Sequence, residues 1–425
     1  MRNHTRSFIC DIQSIMVERR ALVIVGLGYG DEGKGLATDF FCLNHPESIV
    51  IRFNGGQQAG HCVINKEGEK HIFSNLGSGT FRGIPTFWSK YCTFSPLLFV
   101  EECQKLNKSF KFYIDPNCPI TTHYDILFNR ASEITLGKAR KGSCGVGFST
   151  TIEREQSGLS LLLSDLFDNQ VLVEKLTQIK KYYRHKINLD TAFDFDSMDH
   201  DYEDTLFLNS ILDIQKFLYS NAVQMICESD LFKTMVSKTL IFEGSQGILL
   251  DQHFGKWPHV TMSNTSSQNA MEMISRYCSG YTTEVVYITR AYRTRHGSGP
   301  FPEQHKDFRL LEQNIDETNE TNCYQGALRF DFLDLDVLND AVAFDEQFSA
   351  GLGKNLLVTC MDHLEDDKIR AFTNKDLCSF QYTEIWKYLN FPIKKLIFSF
   401  GNCAESLFDA KKNHEIGTNV YISSN

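Results

Sequence analysis

Residues 21–39 read ALVIVGLGYGDEGKGLATD and join an apolar, β-branched run to a glycine-rich turn that carries Asp31 and Lys34. This order predicts a strand, a phosphate-holding loop and the first turn of a helix. The spacing from Gly28 to Gly33 and Lys34 satisfies a P-loop, in which backbone N–H groups and a helix N-terminus bind phosphate oxygens. The alternative is a plain glycine-rich turn with surface charges, but the preceding strand and the carboxylates in the turn favour a phosphate site.

The position after the lysine departs from the P-loop pattern. A P-loop has Ser or Thr there to hold Mg²⁺, whereas this chain has Gly35, which offers no side-chain oxygen. Asp31, inside the loop, carries a carboxylate that can take the metal instead. The same carboxylate is placed to act as a base beside a transferring phosphate.

The composition describes a soluble globular protein. The chain has 425 residues, 42% of them hydrophobic, which is enough for one large core or two domains. Lys and Arg total 43 against 53 Asp and Glu, a net charge of −10, so a general polyanion-binding surface and a nucleic-acid partner are not expected. Phosphate affinity must therefore be local.

The cysteines and the N-terminus indicate a reduced, cytoplasmic protein. The 13 cysteines are scattered and lack paired metal-binding spacings, so we expect reduced thiols. Residues 1–20 contain no uninterrupted apolar core and predict neither a signal peptide nor a membrane helix, but an N-terminal extension or targeting remnant. No membrane partner is expected.

A second glycine-containing loop follows the next predicted strand. SIVIRFNGG, residues 48–56, predicts that strand, and with the helix LATDFFCLN it completes a βαβ unit. His61 lies at the end of the loop GGQQAGHCV, where the backbone at Gly60 can approach a ligand closely. A lone histidine after a strand is often structural. Loops at the carboxyl ends of parallel strands share one crevice, however, so we expect His61 to face Asp31.

The middle of the chain adds a basic loop and a helical region. Residues 137–155, GKARKGSCGVGFSTTIERE, predict a long glycine-rich loop suited to closing over an anion, or else a surface connection. Residues of about 160–235 show helical spacing throughout, apart from an acidic turn at 193–205.

Further strands complete an α/β pattern. KTLIFEGSQGILLD, TEVVYITRAY, GKNLLVTC and KKLIFSFG predict strands, with RTRHGSGPFPEQ as a fixed loop between the second and third. Gln246 and Thr261 offer uncharged hydrogen-bonding groups of the kind that contact a base or ribose. We expect one α/β domain over residues 21–425, built on a mostly parallel central sheet with helices on both faces.

Several stretches coincide in order with one family, over about residues 21–410. The chain resembles adenylosuccinate synthetases. The matching motifs are the GDEGKG loop at Gly30–Gly35, GGxxAGH at Gly55–His61, FEGxQGxLLD at Phe242–Asp251, PxVTxSNTS at Pro258–Ser266 and TRxGSGPFPE at Thr294–Glu303.

The resemblance implies a GTP-dependent carbon–nitrogen ligase that joins aspartate to IMP with Mg²⁺, as a homodimer. It implies that Asp31 removes the proton from N1 of the purine so that O6 attacks the γ-phosphate. His61 matches the general acid, and Lys34 matches the lysine that stabilises the transferring phosphoryl group. Phosphoryl transfer of this kind depends on positioned charge and a metal.

The resemblance also assigns binding residues. Asp31 and the carbonyl of Gly60 would hold Mg²⁺, and Arg329 would bind the amino-acid substrate. The GTP-binding positions are Gly30, Asp31, Glu32, Gly33, Lys34, Gly35, Gly60, His61, Cys62, Asp362, Ser399 and Gly401. The IMP-binding positions are Asp31, Lys34, Gln58, His61, Ser143, Gln246 and Thr261.

The chain departs from the family in the loops that recognise substrate. The family's GTTGRGIGP loop reads KGSCGVGFS, so its phosphate-binding threonine is lost or shifted to Ser143 and its arginine becomes Cys144. The arginine that a dimer partner lends to the IMP phosphate falls on Gln156, and glutamine cannot replace its charge. The lysine of the guanine-reading motif is Cys360, which leaves Asp362 in place.

The aspartate-binding loop is also altered. It reads ETNCYQGALRFDFLD, in which only Arg329 is clearly basic, so either the acceptor amine differs or Arg140, Lys141 and Arg154 compensate. Three hypotheses remain: an adenylosuccinate synthetase of a divergent lineage, a related ligase with another oxo-heterocycle or amine, and a non-catalytic nucleotide-binding regulator.

Overall fold

The computed structural model describes residues 19–235, 237–311 and 327–410. The expected N-terminal extension before residue 19, and residues 320–326 of the expected aspartate-binding loop, lie outside the described residues. The strands are β1 (Arg20–Gly26), β2 (Ser48–Arg52), β3 (His61–Ile64), β4 (Lys70–Phe73), β5 (Thr86–Trp88), β6 (Phe112–Ile114), β7 (Val223–Met225), β8 (Thr239–Gly247), β9 (Thr282–Arg290), β10 (Tyr292–His296), β11 (Leu328–Asp334), β12 (Gly353–Thr359), β13 (Lys368–Thr373), β14 (Asp376–Gln381), β15 (Lys395–Ser399) and β16 (Leu407–Asp409).

The α-helices of the described residues lie between these strands. They are α1 (Lys34–Asn44), α2 (Pro96–Leu106), α3 (His123–Leu136), α4 (Phe148–Gln156), α5 (Asn169–Asp190), α6 (Asp201–Tyr219), α7 (Glu228–Thr234), α8 (Gln268–Tyr277) and α9 (Leu335–Ser349). Within the described ranges, no helix is long and apolar enough to cross a membrane.

The central sheet runs in the order β16-β15-β12-β9-β1-β8-β2-β5-β6-β7. Every neighbouring pair in it is parallel except β15 with β16. Strand β1 is apolar throughout because both of its faces are covered. Val23 packs into a cluster with α8 and α9, whereas Ile24 packs into a cluster with α1 on the opposite face. The predicted fold class, a mostly parallel sheet with helices on both faces, is confirmed.

The predicted βαβ unit is present, but its two strands are not neighbours. Strand β8 lies between β1 and β2 and pairs in parallel with each: Val23 is in register with Phe242, which is in register with Ile51. The loops that follow β1, β8 and β2 therefore emerge side by side at the carboxyl edge of the sheet. This insertion brings residues from the middle of the chain between the two predicted loops.

Two segments predicted as loops form strands of a second sheet, ordered β10-β11-β13-β14. The predicted fixed loop RTRHGSGPFPEQ begins within β10, and Leu328–Asp334 of the expected aspartate-binding loop is β11. These predictions were wrong because both segments carry several charged side chains and give little hydrophobic signal. Cross-strand pairing, which sets Arg295 opposite Arg329, defines the strands instead.

The predicted basic loop at 137–155 is shorter than expected. Helix α4 begins at Phe148, so the irregular part covers residues 140–147, which we call the basic loop from here on. Arg154 is fully buried in α4 and bonds Asp125 on α3, and burial of this pair holds the helix against its neighbour. Arg154 therefore cannot compensate for missing substrate contacts.

Two further predictions in the helical region were wrong. Val223–Met225 was expected to be helical but forms β7, at the edge of the central sheet beside β6. The acidic turn at 193–205 ends inside α6, and Asp204 accepts hydrogen bonds from His123 and Tyr124. In both places, contacts with distant parts of the chain decide the structure, and the local spacing of apolar residues does not.

Candidate active site

A cavity of about 650 Å³ opens at the carboxyl edge of the central sheet. The loops after β1, β2 and β8 and the basic loop form its walls, as expected for a ligand site in a parallel sheet. Many of the predicted site residues line it together: Gly30, Asp31, Glu32, Gly33, Lys34, Gly35, Gln58, Gly60, His61, Cys62, Ser143, Gln246 and Thr261. Asp362, Ser399, Gly401 and Arg329 do not line this cavity.

The buried carboxylate of Glu32 holds the loop after β1 in place through hydrogen bonds and an ion pair. One of its carboxylate oxygens accepts from the backbone N–H groups of Gly28 and Gly30 at 2.9 Å each, and the other contacts Nζ of Lys34. Glu32 and Lys34 are each only 4% exposed. A Cβ on Gly247 would come within 2.4 Å of the Glu32 carboxylate, so the glycine of β8 is required for this packing. The buried ion pair fixes the lysine relative to the loop.

Asp31 is held in a strained backbone conformation with its side chain toward the cavity. Its φ of 59° lies in the left-handed region, which costs a non-glycine residue about 1 kcal/mol or more. The carbonyl of Asp31 accepts a hydrogen bond from Nε of Arg290, at the end of β9. Its carboxylate is 35% exposed, and the Nε2 of His296 lies 3.5 Å from Oδ2. The carboxylate is thus available to a ligand while its backbone is fixed.

The steric environment of Gly35 explains the missing P-loop hydroxyl. A Cβ at this position would lie 2.9 Å from Cβ of His61 and 3.0 Å from the carbonyl oxygen of Cys62. The first turn of α1 therefore packs directly against the start of β3. Serine or threonine cannot occupy this position without moving His61, so the carboxylate of Asp31 is the oxygen donor that the loop has left.

His61 is bonded to a buried carboxylate that the sequence interpretation missed. Its Nδ1 lies 2.7 Å from Oε1 of Glu243 in β8, and Glu243 is 0% exposed. The other oxygen of Glu243 accepts from the backbone N–H of Ser78 at 3.1 Å. The signal in the sequence was an acidic residue within the apolar run TLIFEG. An unpaired charge is costly in such a strand, so a partner was to be expected.

Burial and neighbouring charged groups determine the protonation states of His61 and Glu243. Burial lowers the pKa of His61, against the opposing attraction of Glu243. Burial by itself raises the pKa of Glu243, but His61, Arg52 and Ser78 outweigh it and hold that pKa at about 2. Arg52 is fully buried at the end of β2 and bonds the Ser245 hydroxyl at 3.0 Å. Glu243 is therefore an anion, and Nδ1 of His61 carries the hydrogen that it accepts.

The predicted IMP-binding residues differ in their availability. Both polar atoms of the Gln58 amide are buried and lack a hydrogen-bond partner within the described part of the chain. Gln246 has a φ of 61°, another strained position at the cavity wall. Ser143 instead donates to Oδ1 of Asn129 at 3.0 Å and accepts from Gly145, so its hydroxyl hydrogen is already used. Gln156, at the end of α4, is exposed.

The predicted guanine-binding residues lie at or just after the ends of two adjacent strands of the central sheet. Asp362 follows β12, and Ser399 and Gly401 stand at the end of β15, which pairs with β12. The Ser399 hydroxyl bonds the carbonyl of Gly401 at 2.6 Å. This region joins the phosphate loop through Thr359, whose hydroxyl donates to the Glu32 carbonyl at 2.8 Å.

Arg329 is committed to the protein backbone. Its guanidinium donates to the carbonyls of Gly297 and Gly299 at 2.6 and 3.1 Å and lies over the ring of Phe301. Arg295, which the sequence interpretation did not single out, does line the cavity, with its guanidinium 4.2 Å from the centre of the Tyr29 ring. Arg295 was missed because it lies on β10, a polar strand that the pattern of hydrophobic residues does not reveal.

The chain is similar to known proteins over most of its length. Residues 23–374 match the family model described as adenylosuccinate synthetase. The structure resembles that of fully ligated adenylosuccinate synthetase from Plasmodium falciparum, with a TM-score of 0.71 and 18% identity over 91% of this chain and 98% of that chain. It also resembles cyanophage S-2L succinoaminodeoxyadenylate synthetase (PurZ) bound to dGMP and dATP, with a TM-score of 0.58 and 14% identity over 92% of this chain and 95% of that chain.

At such identities the two structures establish a shared fold. The family model goes further, because it covers most of the chain and spans all the loops described above as lining the cavity. The chain belongs to the adenylosuccinate synthetase family of ligases.

Proposed function

We propose that the protein transfers the γ-phosphoryl group of GTP to O6 of IMP and then joins aspartate at C6 to form adenylosuccinate. The observation that carries the proposal is the convergence of Asp31, His61 and Gln246 on one cavity, from the loop after β1, the end of the loop after β2 and the end of β8. These residues come from parts of the chain far apart in sequence. Their meeting around a space large enough for a nucleotide supports a single reaction centre.

Asp31 is the base in this proposal. Its carboxylate removes the proton from N1 of the purine, O6 attacks the γ-phosphorus, and the bond to the bridging oxygen of GTP breaks to release GDP. The strained left-handed backbone at Asp31 supports this role, because a fixed carboxylate does not have to be ordered when the substrate arrives.

His61 and Lys34 act on the developing negative charge. Because Nδ1 of His61 is bonded to Glu243, Nε2 is the nitrogen left to donate to the phosphate bridge. Burial keeps the pKa of His61 low, and an incoming polyphosphate raises it by favouring the cation. Lys34 is held near the same loop by Glu32, ready to neutralise a phosphoryl oxygen.

The cavity suits Mg²⁺. Mg²⁺ prefers oxygen ligands and is often held by one or two carboxylates together with substrate phosphates. Asp31 offers a carboxylate, the backbone of Gly60 lines the same cavity, and no hydroxyl fits at Gly35. When bound by Asp31 and the Gly60 carbonyl, Mg²⁺ would supply charge stabilisation to the phosphates.

In the second step the amine attacks C6 and loses a proton, the bond between C6 and O6 breaks, and O6 leaves with the phosphoryl group as inorganic phosphate. GTP as donor is supported by the carboxylate of Asp362, which can accept from N1 and N2 of guanine, whereas adenine has no such donors. A homodimer in the cytoplasm is the assembly that we expect.

The direct test is formation of adenylosuccinate by the purified full-length protein with IMP, GTP, Mg²⁺ and aspartate, followed by absorbance. The matched control is Asp31→Asn, which we expect to lower kcat by at least about 100-fold because the base is lost. Asparagine tolerates a left-handed backbone, so the loop should keep its shape. Absence of product from the wild type at saturating substrates would overturn the proposal.

A second candidate keeps the phosphoryl transfer but uses another amine. It is favoured by Arg329, whose guanidinium is occupied by two backbone carbonyls and is poorly placed to bind a dicarboxylate. Release of GDP with IMP and a panel of amines, aspartate included, separates the two. Stimulation by aspartate alone would exclude this second candidate, and stimulation by another amine alone would replace the first.

A further inference from the structure

The cavity continues from the phosphate loop toward the basic loop. Lys141, Gly142 and Ser143 line this far end, together with Thr261 and Ser298. The basic loop is fixed at two points: the Ser298 hydroxyl donates to the carbonyl of Arg140 at 2.7 Å, and the N–H of Gly142 contacts Glu133 at 3.3 Å. The backbone that carries Lys141 is therefore held at the cavity wall.

Most cations that line the cavity already have partners. Lys34 contacts Glu32, Lys186 contacts Asp190 at 3.2 Å, and Arg290 donates to the Asp31 carbonyl. Arg295 donates to the carbonyls of Pro300 and His259. In the described ranges, Lys141 alone among the lysines and arginines of the cavity wall has no carboxylate or carbonyl contact. Its charge is available to a ligand.

The other polar side chains of the basic loop that line the cavity carry no positive charge. Ser143 has given its hydrogen to Asn129, and the thiol of Cys144 has its pKa raised to about 11 by burial, so it is neutral. The amide of Gln58 is buried without a partner in the described residues and can donate. Glu133 and Glu153 also line this end and repel an anion, which makes a compensating cation necessary.

We propose that Lys141 binds the 5′-phosphate of the nucleoside monophosphate from within the same subunit. This inference rests on the proposed function, since a purine placed with N1 at Asp31 extends its sugar phosphate along the cavity. The exposed Gln156 cannot supply a charge from a second subunit, whereas the ammonium of Lys141 forms charge-assisted hydrogen bonds to phosphate oxygens. The substrate class is a 6-oxopurine nucleoside monophosphate, in preference to the free nucleoside.

The test compares binding of IMP and of inosine, which differ only in the phosphate, to wild type and Lys141→Ala by calorimetry. The variant should bind IMP roughly 10- to 100-fold more weakly, the loss expected for a charged hydrogen bond, and bind inosine unchanged. Lys141→Arg should retain most of the IMP affinity. Lys186→Ala is the matched control, because it removes a lining lysine that is already paired with Asp190, and its IMP affinity should stay within about twofold of wild type.

Each outcome bears on a different claim. An equal loss of IMP and inosine affinity in Lys141→Ala would show a structural role and overturn the inference, as would unchanged IMP affinity. If the wild type bound IMP, turned it over and failed to discriminate it from inosine, the lysine assignment alone would be wrong. If the wild type neither bound nor consumed IMP, the proposed function itself would fall.

Discussion

Nδ1 of His61, at the start of β3, lies 2.7 Å from Oε1 of Glu243, in strand β8 of the central sheet. The carboxylate has a second set of partners in Ser78 and the nearby Arg52, so it stays ionised and oriented. It therefore holds the imidazole with Nε2 free for the ligand. We regard Glu243 as a residue that positions His61, because it contacts His61 but does not itself line the cavity.

Removing the negative charge of Glu243 should impair turnover more than binding. We expect Glu243→Gln to lower kcat about 10- to 100-fold with nearly unchanged KM for GTP and IMP, because the amide no longer fixes the tautomer of His61. Steady-state kinetics measure both constants. Equal changes in kcat and KM for all substrates, or a variant that fails to fold by circular dichroism, would point to a structural role instead.

The same carboxylate should make stability depend on pH in acid. The pKa of Glu243 is about 2 in the folded protein against 4.5 for the free side chain. Its stabilisation is therefore complete above about pH 4.5 and is lost as the pH falls toward 2, because the unfolded chain binds the proton first. The difference in unfolding free energy between wild type and Glu243→Gln should shrink over this range by up to about 3 kcal/mol. Urea unfolding at several pH values measures it, and a difference independent of pH from 3 to 6 would contradict the assignment.

Restoring the P-loop hydroxyl should damage the protein. Gly35→Ser places a Cβ 2.9 Å from that of His61, and we expect a loss of about 1–3 kcal/mol in unfolding free energy along with lower activity. Gly353→Ala is the control, since its Cβ would meet side-chain atoms of Lys394, at 3.3 Å, and of Glu284, at 3.5 Å, and no backbone within 4 Å is among its nearest contacts. Full stability and activity in Gly35→Ser would show that α1 can move away from β3.

The proposed preference for GTP should depend on Asp362. We expect Asp362→Asn to lower kcat/KM for GTP about 10- to 100-fold, because the amide cannot accept from both N1 and N2 of the base. Inosine triphosphate, which lacks the N2 amino group, should lose less. Asp366→Asn is the nearby control, because Asp366 is a partly exposed residue that pairs with Arg370. An equal loss for both triphosphates would argue against base contact by Asp362.

Local spacing was sufficient for part of the fold and the site. Strand β1, the loop from Gly30 to Gly35 and helix α1 follow directly from an apolar run, glycines and a helical repeat close together in the chain. The altered positions Cys144 and Gln156 were also visible, because motif positions are compared one residue at a time. The polar strands β10 and β11 were not, since their hydrogen-bonding partners are other strands.

The amino-acid sequence by itself determined that a glycine-rich loop, with the carboxylate of Asp31 and without a hydroxyl at Gly35, joins a strand to a helix in an alternating α/β chain. Tertiary structure alone decided that β8 lies between β1 and β2, which sets Glu243 beside His61. It also decided that the side chains of Ser143, Arg154 and Arg329 form hydrogen bonds within the protein, while the charge of Lys141 remains available to a ligand. The physical reason is that a side chain's type follows from the sequence, whereas its partners come from segments that only the folded sheet brings together.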